Sequence, residues 1–249
     1  MERITGRHNP LMTHIRKLLS SRSYRRQCGE YICDGTKLLQ EAIHWGAEVT
    51  VLVTTHPERL PLLPENARLV QVPEELMRSI SPMEAPQGAL FIVRQPETPQ
   101  PERLKGPMLV LDGLQDPGNV GTILRTADAF DCDLMLLEGC ADPYSHKAAR
   151  ASMGAVFRRP VYEATLEQLT KLLQESGLPL YGAALGLDTK DLRQTDLKSC
   201  AVAVGSEGQG LRREVLDLCR GTVKIPMQPR CESLNAAVAA AVLLWEMYR

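Results

Sequence analysis

The chain has 249 residues, 44% hydrophobic and 24% charged, with a formal net charge of −1, the composition of a soluble globular protein of one or two domains. Aromatics at 4% argue against base stacking on an aromatic sheet as the main binding mode. No apolar run approaches the ~18–20 residues of a membrane span, and Met1–His8 lacks a signal-peptide apolar segment, so the expected location is cytoplasmic.

From the N-terminus, residues 1–30 carry Arg3, Arg7, Arg16, Lys17, Arg22, Arg25 and Arg26 against Glu2 and Glu30. The local balance is +5, leaving −6 for the remainder. Such asymmetry is the footprint of a surface that contacts phosphates, with Arg16, Lys17, Arg22, Arg25 and Arg26 as candidates; the plainer alternative is a solvated basic helix. Asn9-Pro10 predicts a helix over Asn9–Ser20, capped by Asn9 with Pro10 in its first turn. Strands follow at Glu30–Cys33, Val49–Val53, Arg68–Val72 and Gly88–Val93, with a helix capped by Asp34 running to about Trp45. These define a small α/β domain over residues 1–94. Pro96, Pro99, Pro101 and Pro107 can continue neither a helix nor a central strand, so residues 95–107 read as an extended linker.

Beyond the linker the alternation is more regular. Strands are predicted at Met108–Leu111, Leu134–Leu137, Leu180–Ala184, Cys200–Gly205 and Val223–Pro226. Helices are predicted at Asn119–Phe130, His146–Met153, Leu166–Glu175, Leu211–Cys219 and Ser233–Tyr248. Short apolar strands joined by helices indicate a mostly parallel sheet with helices on both faces, here over residues 108–249. Seven cysteines, odd in number and irregular in spacing, fit neither a disulfide framework nor a metal site. Cys132, Cys200 and Cys219 read as small buried hydrophobes.

Ligands of open α/β sheets bind outside the carboxyl ends of strands, and three motifs fall there. Asp116-Pro117-Gly118-Asn119-Val120-Gly121 opens a helix that carries Arg125, with Asn119 placed to cap it. A well-capped helix with a surface arginine is the plainer alternative. The G-x-G-x-x-G of a dinucleotide site is absent. Val204-Gly205-Ser206-Glu207-Gly208-Gln209-Gly210 ends a strand with three glycines, which permit close backbone approach to a ligand. Val204 rules out a serine-hydrolase elbow, and Glu207 is out of place in a plain turn. Ile225-Pro226-Met227 and Glu232-Ser233-Leu234-Asn235 lead into an alanine-rich helix for which Ser233 or Asn235 would serve as cap.

The order and spacing of these motifs resemble the SpoU branch of the SPOUT RNA methyltransferases, closely from Met108 onward and loosely over Asn9–Val93. The stretch Gly29–Gly35 with Leu38, Leu39, Glu41 and Ala42 is similar to the RNA substrate-binding domain fused to many of these enzymes. The resemblance implies a parallel sheet with a C-terminal trefoil knot, although general topology rules count knots as rare exceptions. It also implies a homodimer through the C-terminal domain, and methyl transfer from S-adenosylmethionine to a ribose 2′-hydroxyl of RNA, ribosomal RNA foremost. A tRNA substrate, or an RNA-binding protein without catalysis, are the alternatives. Asn119, Arg125, Glu207, Ser233 and Asn235 match the catalytic positions. Gly205, Glu207, Gly208, Ile225, Met227 and Leu234 match the cofactor loops. Pro229 departs from the family, which has glycine after Ile-Pro-Met-x. Because a guanidinium keeps its proton in proteins, Arg125 is expected to hold the hydroxyl and a phosphate and to stabilise the developing alkoxide, rather than to act as base.

Overall fold

Proline and asparagine together set the first helix. In the computed structural model, which describes residues 1–60, 66–104, 106–186, 188–231 and 233–249, strand β1 (Glu2–Arg3) is followed by helix α1 (Pro10–Ser20), whose first turn is capped by the Asn9 side chain. Helix α2 (Arg22–Cys28) was not expected. Ser21 caps it, and Gly29 ends it at φ 62°, the left-handed conformation that glycine supplies. Then come β2 (Glu30–Asp34), α3 (Thr36–His44), β3 (Val49–Thr54), β4 (Arg68–Gln71), α4 (Glu74–Ile80) and β5 (Ala89–Arg94). Asp34 does not cap α3 as predicted. It closes β2 and accepts a hydrogen bond from Ser81 Oγ at 3.1 Å, while Gly35 at φ 103° turns the chain into the helix with no side-chain cap.

The chain continues through β6 (Met108–Asp112), α5 (Pro117–Ala129), β7 (Asp133–Leu137), α6 (His146–Ala151), α7 (Ala155–Arg158), β8 (Val161–Ala164), α8 (Leu166–Ser176) and β9 (Leu180–Ala183). It ends with β10 (Lys190–Asp191), β11 (Ala201–Gly205), α9 (Arg213–Leu218), β12 (Gly221–Lys224) and α10 (Ala236–Tyr248). The helix predicted over His146–Met153 stops at Ala151, because Met153 and Gly154 take φ values of 49° and 92°. The final helix begins at Ala236 rather than Ser233, with Asn235 as its cap. Strands β1 and β10, two residues each, are too short to carry a readable alternation, and β8 was not expected.

Two compact units result. Unit 1 comprises Met1–Pro96 together with Asp142–Arg158; unit 2 comprises Glu97–Ala141 and Arg159–Arg249. Unit 1 holds a mixed five-stranded sheet in the order β1-β4-β3-β5-β2, packed against α1 and α4 through Met12, Ile15, Leu18, Met77 and Ile80. Unit 2 holds a seven-stranded sheet in the order β10-β12-β9-β11-β6-β7-β8, parallel throughout. All five residues of β6 are buried, as are the first four of β11, the signature of strands covered on both faces. Burial pushes the Cys132 and Cys200 thiols up to about 12 and Cys219 up to about 11, so all three stay protonated and unreactive at neutral pH.

Candidate active site

Strands β6 and β11 lie side by side in register, with Asp112 opposite Gly205, so both end at the same level. From β6 the chain builds β7 and β8 on one side, while β9 and β12 lie on the other. The β6/β11 end is therefore a switch point of the sheet, where open α/β folds hold their ligands.

The loop leaving β11 is closed twice. Ser206 and Gly210 exchange backbone hydrogen bonds of 3.1 and 2.9 Å. One residue past Leu211, the Arg212 N–H donates to Asp112 Oδ2 at 2.8 Å and Arg212 Nε donates to Oδ1 at 2.6 Å. The Asp112 side chain is fully buried, so this carboxylate fixes the loop to the end of its neighbouring strand. Inside the loop, an added Cβ at Gly205 would meet the Gly210 carbonyl carbon at 2.1 Å and Leu211 N at 2.3 Å. The close approach that demands glycine at 205 is thus to the chain's own backbone. Gly208, at the exposed tip, has nothing within 4 Å of such a Cβ.

Glu207 projects from the same loop and joins three elements. Its Oε1 accepts from Asn119 Nδ2 at 2.6 Å, from Asn235 Nδ2 at 3.1 Å and from the Ala236 N–H at 3.4 Å. The amino terminus of α10 favours this negative charge. Asn235 Nδ2 also donates to Asn119 Oδ1 at 3.2 Å, while its Oδ1 accepts from the Ala237 and Val238 N–H groups at 3.0 and 3.3 Å. One asparagine therefore caps α10 and ties it to the other two motifs. Asn119 is available for this because it is not the cap of α5. Asp116 takes that position and accepts from the Asn119 N–H at 2.7 Å.

Arg125 lies exposed on α5 and enters none of the hydrogen bonds or ion pairs found among the described residues. At i+7 from Gly118 and i+3 from Thr122, it stands over the face those residues form, two turns from the helix start. Ser233 is exposed and lies outside the Asn119–Glu207–Asn235 network. It lines instead, with Ile225, Met227 and Leu234, a cavity of about 160 Å³ beyond the ends of β9 and β12. Gly205, Glu207 and Gly208 do not line it. That volume is below the ~300–1,000 Å³ of a complete cofactor site. Its apolar walls fit the flat heterocycle of an adenosyl group, leaving the rest of such a molecule to extend beyond. Pro229 is accommodated as the second residue of a turn closed by the Cys231 N–H and the Gln228 carbonyl at 2.9 Å, the position that proline favours. Glu232 lies outside the described residues.

The predicted phosphate contacts divide. Lys17 and Arg26 are exposed, Arg16 and Arg22 half-buried. Arg25 is a correction. It is 5% exposed, and its guanidinium donates to Asp142 Oδ2 from Nε at 2.7 Å and to the Leu18 carbonyl from Nη1 at 2.5 Å. A buried guanidinium so paired is a structural element and is not presented to a phosphate.

This fold and site define an α/β enzyme of the SpoU class. The chain matches the SpoU rRNA Methylase family over residues 106–245 and the MRM3-like substrate binding domain over residues 9–90, and it belongs to the SpoU rRNA Methylase family. It is 34% identical to an uncharacterized tRNA/rRNA methyltransferase of Synechocystis, over 99% of this chain and 93% of the relative. It is 30% identical to the 23S rRNA (guanosine(2553)-2′-O)-methyltransferase RlmP of Bacillus subtilis, over 93% of each. The mitochondrial rRNA methyltransferase 3 of Xenopus tropicalis matches 60% of this chain with 39% of its own length. Among solved structures, the AdoMet-bound rRNA methyltransferase of Sinorhizobium meliloti superposes with a TM-score of 0.85 at 28% identity, covering 99% of this chain and 97% of the other.

Proposed function

We propose that this chain transfers the methyl group of S-adenosylmethionine to a ribose 2′-hydroxyl of ribosomal RNA. The observation that carries the reading is the Asn119–Glu207–Asn235 network, which draws three motifs far apart in sequence into one site at the ends of β6 and β11. Bound cofactor supplies an electrophilic methyl on a sulfonium. The protein then has to orient the hydroxyl and meet the charge that develops on it. Arg125 donates to the ribose oxygen and a neighbouring phosphate, stabilising the alkoxide. Asn119 and Asn235, set by Glu207, position the ribose together with Ser233. Ile225, Met227 and Leu234 pack the adenosyl group, and the backbone at Gly205 and Gly208 borders the rest. The trefoil passage that the family resemblance implies belongs to this reading. The test is transfer of labelled methyl from S-adenosylmethionine to ribosomal RNA from cells lacking the protein, with the product nucleotide mapped. Label in tRNA alone would move the substrate. Binding of RNA without label in either would favour the non-catalytic alternative.

RNA binding is assigned in part to the basic face of α1 and α2. Neutralising Arg16, Lys17, Arg22 and Arg26 together is expected to weaken RNA binding whatever the sequence and to flatten its salt dependence, by roughly 0.7–0.9 in slope per lost phosphate contact. Binding titrations across a salt series check this; an unchanged slope would remove these residues from the interface.

Assembly is read from α10. Val238, Trp245 and Tyr248 are 50%, 50% and 60% exposed, and Phe130 packs its ring against Trp245 and Tyr248 at 5.8 and 5.5 Å. An apolar patch of this kind marks an interface, and a symmetric partner helix would cover it. The chain is expected to be a homodimer at micromolar concentration by light scattering, and Val238→Glu with Trp245→Glu to leave a monomer. No helix among the described residues is long and apolar enough to cross a membrane; a cytoplasmic location belongs to the proposed reading, supported by the full-length similarity to the Bacillus subtilis enzyme.

A further inference from the structure

Unit 1 carries a second feature that the site above does not use. Helix α3 is followed at once by its C-cap Trp45, which is 49% exposed. Arg158, at the end of α7, lays its guanidinium over the Trp45 ring at 5.4 Å, and His44 meets the ring edge-on at 5.2 Å and 89°. The same guanidinium is oriented from α3 by Glu41, 3.1 Å from Arg158 Nη1. Glu41 and Trp45, spaced four apart along the end of α3 and its C-cap, thus face two residues spaced four apart along the second segment, Gly154 and Arg158. Glycine is required at 154 on two counts. Its φ is 92°, and an added Cβ would meet Glu41 Cβ and Cγ at 3.0 Å. Beside it Met153 is held at φ 49°, a conformation that methionine rarely adopts, with its side chain 50% exposed. Among the described residues, Trp45 and Met153 are, apart from Met1, the large apolar side chains that unit 1 exposes. Strain kept in the segment whose Arg158 orders an exposed aromatic is a reason to look for a ligand.

We propose that Trp45, backed by Arg158, is a stacking platform for an unpaired base of the RNA substrate. The proposal rests on the RNA methyltransferase reading and adds a contact that reads single-stranded character. An indole offers the largest π-face among side chains, and a base in stack with it gains about 1–3 kcal/mol, or roughly 5–150-fold in affinity, with little regard to sequence. Arg158 and His44 already fix the ring, so little rotamer freedom remains to be lost on binding. Trp45 falls inside the residues 9–90 that match the substrate-binding domain. A protein partner for the same patch is the competing occupant.

The experiment uses the full chain and a fluorescein-labelled single-stranded oligoribonucleotide of about 12 nucleotides, with the blunt duplex of the same sequence as the second probe. Trp45→Ala is expected to weaken single-strand binding about 10-fold, with the slope against salt unchanged because no phosphate contact is lost. Trp45→Phe should retain most of the affinity, and duplex binding should not change. A thermal midpoint and circular dichroism spectrum equal to the parent's verify the fold, and Trp45→Gln, with the same loss expected, carries the test where Trp45→Ala alters it. Parental single-strand affinity in Trp45→Ala, equal losses on both probes, or a parent that does not bind the single strand would overturn the platform. Failure of the methyltransferase reading shows separately, as a parent chain that transfers no methyl to ribosomal RNA.

Discussion

Arg125→Ala is expected to lower the single-turnover rate of methyl transfer roughly 10²–10³-fold with saturating RNA, while S-adenosylmethionine affinity changes by less than about twofold. The reasoning starts from what Arg125 does not do. It is exposed on α5 and makes no hydrogen bond or ion pair among the described residues, so truncating it breaks no polar contact there and the variant is expected to fold. Its contribution is reserved for charge that exists only as the hydroxyl gives up its proton, and an interaction made only in the transition state appears in kcat rather than in binding. Arg125→Lys retains the charge without the planar fork and should fall between. A parental rate in Arg125→Ala would mean that the reacting oxygen lies elsewhere.

Glu207→Ala should be as damaging by another route. It deletes the acceptor shared by Asn119, Asn235 and the Ala236 N–H, releasing the amino ends of α5 and α10 from each other and from the β11 loop. Hydrogen bonds to a charged group contribute about 1.5–3 kcal/mol each, and a displacement near 1 Å of positioning groups can cost on the order of 10²-fold in rate. Here kcat should fall and the KM for cofactor rise together, because both adjoining motifs move. Glu207→Gln, which preserves one acceptor oxygen, should recover part of both. Rates of Glu207→Ala within a few-fold of the parent would show that the network is a capping device with no bearing on transfer.

Much of this site was legible because its residue types are locally improbable: an isolated glutamate in a glycine turn, and asparagines at strand-to-helix boundaries. Sequence missed the division of labour between Asp116 and Asn119. Both can cap a helix, and Pro117 in the first turn was the signal that pointed to Asp116. Asp112 also escaped notice. A carboxylate closing a buried apolar strand needs a partner, but Arg212 is a hundred positions away, and no local rule pairs them. The same holds for Arg25 and Asp142, 117 positions apart. Basic density suggested a phosphate surface at residue 25; burial, which the local sequence does not display, turned that residue inward. The elements missed, among them β1, α2, α4, β8 and β10, span at most seven residues, no more than two periods of their pattern. Residues that face each other across the sheet or inside a core are specified by topology, so they stay invisible until the strand order is known.

The interleaved connectivity has a consequence for biosynthesis. Unit 1 draws on Asp142–Arg158, which the ribosome makes after β6, α5 and β7 of unit 2 have emerged. Unit 2 cannot place β6 next to its inner neighbour until β11 is made, since Met108 pairs with Ala201. Neither unit is a contiguous stretch that can finish and then wait for the other. The nascent chain therefore carries Arg25 without Asp142 for the 117 positions that separate them, and an apolar β6 with an unpaired edge until β11 is made. Non-local pairing of this kind folds slowly and leaves edges open to aggregation. The proline-rich stretch after Pro96 looks like a place to cut the protein in two, but a chain ended there would lack the segment that completes unit 1.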